Sequence, residues 1–218
     1  MADKYLFFLG LAGSGKTYLT SLLSDLGFST FHVRDLLEKH LKLSQRGDFK
    51  VIERMVRDNP SFVRDLIVNS NSSDARLLVI EGIKSPNDIR SIPYVQRRLC
   101  SIHCPRDVRL NRILHRNGDR DPITMEELEA RDTRELSYGV RELIFSSDTR
   151  IENRWSHSAI QLVRLEEILE CLDTDSSLRI RQYLDLQYGK DSIPRKRSEA
   201  KRNERRAMNE NYWLREIE

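Results

Sequence analysis

The chain has 218 residues, enough for one large domain or one domain with an appendage and too few for several independent modules. Its 37 lysines and arginines against 34 aspartates and glutamates leave a net charge of +3, so any electrostatic specialisation is local. With 39% hydrophobic residues, 33% charged residues and a mean hydropathy of -0.58, the composition excludes both a polytopic membrane protein and wholesale disorder.

Tyr5-Leu6-Phe7-Phe8-Leu9 is a short apolar run between Lys4 and Gly10, the pattern of a strand buried on both faces of a parallel sheet. It is too short to span a membrane. Gly10-Leu11-Ala12-Gly13-Ser14-Gly15-Lys16-Thr17 follows, after which Leu19, Leu22, Leu23 and Leu26 recur at helical spacing up to a stop at Gly27. A second strand is expected at Phe28 to Val33 and a helix from about Asp35 to Leu43. Phe49 to Arg57 and Ser61 to Val68 read as two helices separated at Pro60, because proline restricts the residue before it and suits a first helical turn. Leu77 to Ile80 reads as a strand with Glu81 and Gly82 at its C-terminal end.

Leu99 to His103 is the fourth strand candidate. Pro105 then opens a helix that can turn Val108, Leu110, Ile113 and Leu114 toward the core, and Asn117 to Pro122 break it. Thr124-Met125-Glu126-Glu127 reads as a capping box at the start of a helix reaching about Leu136. Thr149 to Glu152 is a fifth, weak strand, and His157 to Leu172 an amphipathic helix. Strands alternating with helices predict a three-layer α/β fold with a five-stranded parallel sheet, occupying residues 1–172. Residues 173–218 read as a linker and a basic, partly helical extension, with Arg195, Lys196, Arg197, Lys201, Arg202, Arg205 and Arg206 close together.

Gly10 to Thr17 fits the P-loop pattern, and the strand before it and the helix after it are the context that pattern requires. Gly10, Ala12, Gly13, Ser14 and Gly15 would offer backbone amides to phosphate oxygens, beside a helix N-terminus. Lys16 would neutralise charge between the β- and γ-phosphates of ATP, and the Thr17 hydroxyl would ligate Mg²⁺. Glu81 stands where a second Mg²⁺ ligand would stand, its alternative being a polar strand end. Arg109, Arg112 and Arg116 share a helix face at offsets of three and four, with Arg120 in the following loop. A solvated basic face is the other reading of that spacing. Beside a P-loop the arginines read as a lid over about 109–136, with Arg109 on ATP and Arg112, Arg116 and Arg120 on the charge of the moving phosphoryl group.

This order of P-loop, acid-and-glycine strand end, arginine-bearing helix and lid resembles the nucleoside monophosphate kinases and the related dephospho-coenzyme A kinase. Val79-Ile80-Glu81-Gly82-Ile83-Lys84-Ser85 and the stretch from Arg131 to Val140 resemble signature segments of a group of predicted archaeal nucleotide kinases, and Asp148 to Asn153 continues the likeness. The resemblance covers roughly residues 4 to 170. It implies a P-loop kinase fold with a helical lid and an acceptor-binding region, in which Gly10 to Thr17 binds ATP phosphates. It also implies that Asp35, which follows the second strand at the C-terminal edge where ligands of such sheets bind, contacts the acceptor or takes its hydroxyl proton, with a helix N-cap as the alternative reading. The chain departs from the family at Glu81, where aspartate is usual, at Lys84 in place of an arginine, and at Glu38 where an arginine is expected.

Cys100, His103 and Cys104 are compact but lack a second pair at zinc-site spacing, so core cysteines are expected. Three cysteines without paired spacing fit a reducing compartment, hence a cytoplasmic protein. The expectation is an ATP- and Mg²⁺-dependent kinase of a nucleotide-like small molecule, foremost a nucleoside or deoxynucleoside monophosphate, with no membrane partner. The alternatives are dephospho-coenzyme A kinase-like activity, a polynucleotide 5′-hydroxyl kinase, or a non-catalytic nucleotide-dependent module whose basic tail engages nucleic acid or protein. The tail lacks interleaved aromatics, so nucleic acid is not the favoured partner.

Overall fold

The computed structural model describes residues 4–41, 59, 61–69, 76–90, 92–116, 121–154, 165 and 174–188. The expected helix at Phe49 to Arg57, most of the one at His157 to Leu172, and the basic stretch Arg195 to Arg206 lie outside them. The chain divides into two compact units, Met1–Ser156 and His157–Glu218. Among the described residues no helix is long and apolar enough to cross a membrane.

Five parallel strands form the sheet of the first unit: β1 (Lys4–Leu9), β2 (Ser29–His32), β3 (Leu77–Glu81), β4 (Arg97–His103) and β5 (Thr149–Glu152), in the order β2-β3-β1-β4-β5. β1 is central and, from Tyr5 onward, fully buried, as an apolar run covered on both faces must be. Its register sets Phe8 beside Glu81 on β3 and Cys100 on β4, so the strand ends gather at one edge of the sheet. The order changes direction around β1, and ligands of such sheets bind at the C-terminal edge where that happens.

Among the described residues the α-helices are α1 (Lys16–Asp25), α2 (Val33–His40), α3 (Phe62–Asn69), α4 (Arg106–Arg116), α5 (Met125–Glu135) and α6 (Arg141–Phe145), followed in the second unit by α7 (Thr174–Tyr188). α1 buries Leu19 and Leu23 and lies against β2 and β3. Tyr5, Phe7 and Leu9 share a core with Val33 and Leu37 of α2, Val63, Leu66 and Ile67 of α3, and Leu143 of α6. Ala12 packs in a smaller cluster with Ile113 of α4 and Leu128 of α5, which ties the glycine loop to both helices.

Some local expectations change. Thr124 caps α5 by accepting from Glu127 N at 3.2 Å, but the Glu127 carboxylate accepts from Ile123 N at 2.8 Å instead of completing the box on Thr124. Between α5 and α6 the backbone widens into a π-turn over Leu136–Val140, where Gly139 at φ 110 adopts a conformation that side chains disfavour. A Cβ there would also lie 2.8 Å from Pro86 Cδ. On α4, Ile113 is buried and Leu110 packs on the core as expected, but Leu114 is exposed while Arg109 is buried. The cause is chemical: Arg109 finds enough partners to be buried, as shown below.

Candidate functional site

β1 delivers the chain to Gly10 at the sheet edge, and α1 starts at Lys16 with Gly15 as N-cap and no side-chain cap. The amides of its first turn are thereby left for a ligand. The loop between them is held by its carbonyls. Lys16 Nζ donates to Gly10 O at 2.7 Å and to Leu11 O at 2.9 Å. Arg109 Nη1 donates to Ala12 O at 3.0 Å, and Asn153 Nδ2 to Ser14 O at 2.7 Å. Engaging the carbonyls elsewhere favours a loop whose amides converge on an anion. Ser14 Oγ, buried within the loop, has no hydrogen-bond partner. At Gly15, φ is +98 and a Cβ would come within 2.1 Å of Asn153 Nδ2, so only glycine fits.

Thr17 Oγ1 donates to Glu81 Oε2 at 3.1 Å, which unites the two residues expected to hold a metal. Glu81 ends β3, paired in register with His32 of β2. Burial raises its carboxyl above the usual range, Lys16 and the Thr17 hydroxyl pull it back, and Asp35 adds to the rise. Burial lowers Lys16 to about 8, with Lys84 adding to the fall, Glu135 and Glu81 opposing it, and Arg131 contributing a smaller lowering. One buried carboxylate beside a hydroxyl suits Mg²⁺, which takes few protein oxygens and completes its shell with water and phosphate. Among the described residues no group of three or more His, Cys, Asp or Glu offers an all-protein cage.

The three arginines expected to share a face of α4 reach different places. Arg109 is 2% exposed and forms a fork with Asp132 of α5, Nη1 to Oδ1 at 3.0 Å, while the same Nη1 holds Ala12 O. Its guanidinium is thus satisfied by a carboxylate and by loop backbone, which explains its burial. Arg112 Nη2 donates to Asn153 O at 3.0 Å and Nη1 to Cys104 Sγ at 3.3 Å, placing the group beside Gly15. Arg116 pairs with Asp121 at 2.6 Å. Arg120 lies outside the described residues. Asp35 is an exposed residue of the first turn of α2, and the N-cap is His32, whose Nδ1 accepts from Arg34 N at 3.0 Å. The capping alternative for Asp35 is therefore corrected: His32 ends β2 and its ring already fills that place. Burial lowers the His32 pKa, the nearby Asp35 opposing the change. Cys100 and Cys104 are both buried.

Four site residues escaped the sequence reading. Asn153 and Asp132 act on the P-loop directly or through Arg109, and Arg131 and Glu135 pair with each other on α5, with Arg131 also reaching Asp121 and Glu135 reaching Lys84. All four fall in the segments of family likeness, which carried no roles for them. A residue-level signal existed for α5, since Leu128, Asp132 and Glu135 are all buried at offsets of four and three, a stripe of one leucine and two acids.

A family model described as an AAA domain matches residues 6–134, more than half of the chain, and the chain belongs to that family. A UPF0200 protein of Pyrococcus abyssi is 28% identical over 159 residues, covering 66% of this chain and 84% of that one. The shikimate kinase of Bacteroides thetaiotaomicron has a similar fold, with a TM-score of 0.55 at 13% identity, over 77% of this chain and 98% of that one. The shikimate kinase of Acinetobacter baumannii in complex with shikimate gives a TM-score of 0.51 at 16% identity, over 77% and 93%. The fold is thus the three-layer α/β fold of P-loop kinases, as the motif order implied.

Proposed function

We propose that this member of the AAA-domain family is a phosphotransferase that uses ATP and Mg²⁺ to phosphorylate a nucleotide-like small molecule, foremost a nucleoside or deoxynucleoside monophosphate. The observation that carries this reading is the P-loop with four carbonyls engaged by Lys16, Arg109 and Asn153, next to the Thr17–Glu81 contact. The loop amides and Ser14 Oγ receive the donor's phosphates, and Lys16 moves its three N–H donors from Gly10 O and Leu11 O to phosphate oxygens. Thr17 and Glu81 hold Mg²⁺, which supplies neutralisation of phosphate charge when bound. Arg112 stands beside Gly15 at the loop end, and Arg116 and Arg131 approach from the lid side to stabilise charge spread over the moving group. Asp35, exposed in the first turn of the helix that follows β2, faces the acceptor.

The test is ADP release from ATP and Mg²⁺ with a panel of nucleoside monophosphates, dephospho-coenzyme A, a 5′-hydroxyl RNA oligonucleotide and, given the similar folds, shikimate. ADP formed with one acceptor class and lost in Lys16→Ala supports the proposal. ATP binding without transfer to any of them contradicts it and favours a nucleotide-dependent binding module.

A further inference from the structure

We infer that Glu135 is a positioning residue: its one carboxylate holds Lys84, from the loop after β3, and Arg131, from α5, side by side next to the P-loop so that both cations meet phosphate together. This rests on the phosphotransfer reading above and adds to it a residue with no motif of its own.

Glu135 Oε2 lies 3.1 Å from Lys84 Nζ, and Oε1 lies 3.4 Å from Arg131 Nε. The exposures are asymmetric: 10% for the Glu135 side chain against 43% for Lys84 and 23% for Arg131. A carboxylate set behind two more accessible cations presents them outward. A pair serving only the fold has no need of that arrangement, since apolar packing of the same volume stabilises as well or better. Both ends are fixed. On one side Lys84 N and Ser85 N each donate to the buried Asp88 Oδ2 at 3.0 Å. On the other, the π-turn after Glu135 packs Gly139 against Pro86. Arg131 continues to Asp121 at 3.1 Å and from there to Arg116, so cations and carboxylates alternate from α4 to the end of β3. Glu81, three residues before Lys84, meets Thr17 of the P-loop at 3.1 Å, which brings the loop carrying Lys84 to the P-loop, and the charges of Lys84, Glu135 and Arg131 all act on Lys16.

The residue therefore does two opposed things. It offsets repulsion between Lys84 and Arg131 in the free protein, which lowers the site's net attraction for anions, and it fixes where those cations stand during transfer. Glu135→Gln keeps the shape and removes the charge. Mg²⁺-ATP should then bind more tightly, by roughly three- to tenfold, because the cations lose their internal counter-ion. Turnover with the best acceptor should fall by on the order of tenfold, because the cations are no longer held in place. A purely structural residue would weaken both or neither. In a Lys84→Gln background the gain in affinity should shrink, since the two residues share one interaction.

Titration calorimetry with Mg²⁺-ATP and steady-state kinetics read both effects. ATP affinity that is unchanged or weaker in Glu135→Gln overturns the positioning role and leaves the kinase reading standing. Tighter ATP binding in that variant, with no transfer by the wild-type protein to any acceptor, supports the counter-ion role and overturns the kinase reading. Should Glu135→Gln not fold, Lys84→Gln alone tests the same pair from its exposed end: weaker ATP binding with slower turnover supports the role, and unchanged binding overturns it.

Discussion

The P-loop and the ion-pair row from Arg116 to Lys84 both carry positive charge that the proposed function directs at phosphate, but they are held by different physics. The loop is fixed through backbone carbonyls gripped by Arg109 and Asn153, each 2% exposed, and Arg109 is itself neutralised by Asp132. The row consists of side-chain pairs in which Arg116 and Lys84 are about half exposed. Breaking a buried pair from one side costs several kcal/mol, whereas exposed pairs contribute little and exchange readily. One region is therefore set before a ligand arrives, and the other keeps cations accessible to phosphate while the less exposed Asp121 and Glu135 hold them in place. That division is what the proposed phosphotransferase would need, with a constant donor bound first and an acceptor met afterwards.

The comparison breaks most visibly at Asp132. Asp132→Ala leaves Arg109 buried without its carboxylate and should cost about 3–5 kcal/mol of stability, read by urea denaturation; a loss below 1 kcal/mol would place the pair with the exposed ones. Gly15→Ala should weaken ATP binding by roughly 100-fold in calorimetry, because the added methyl meets Asn153 and the left-handed backbone is strained. Affinity that survives would show that the loop yields. Lys16 sharpens the contrast through pH. Its lowered pKa of about 8 in the free protein means that it is charged below that value and neutral above it. Triphosphate favours the charged form, so binding takes up a proton as pH rises past 8, and affinity should drop by up to about tenfold per pH unit there. A flat profile from pH 7 to 9 contradicts that assignment. Arg116→Ala should change stability by less than about 1 kcal/mol while lowering kcat more than ATP affinity. The reverse pattern removes Arg116 from the lid.

What the sequence made legible was local. The P-loop and the strand ending in Glu81 are written in consecutive residues, and all five expected strands are found within a residue or two of their bounds. Pairings across the chain were not legible. The spacing predicts Arg109 on the same face as Arg112 and Arg116, and Asp132 on α5 together with Ala12 O in the loop gives it the partners that let it be buried. Asn153 follows a weak strand and looks like any polar loop residue until β5 lies beside β4 and carries it to Ser14 O. At α2, Asp35 suits a cap by residue type, yet His32 takes the place because β2 ends there and its Nδ1 reaches Arg34 N. Glu135 and Lys84 are far apart in the chain, and no spacing rule links a strand-end lysine to the last turn of a distant helix.

The most direct measurement is a crystal structure with Mg²⁺ and a non-hydrolysable ATP analogue. The account predicts that residues 10–17 superpose on the free loop within about 1 Å, the bonds from Arg109 to Ala12 O and from Asn153 to Ser14 O intact, with Lys16 transferred to phosphate. A loop that has rebuilt its backbone and released those two carbonyls would contradict it.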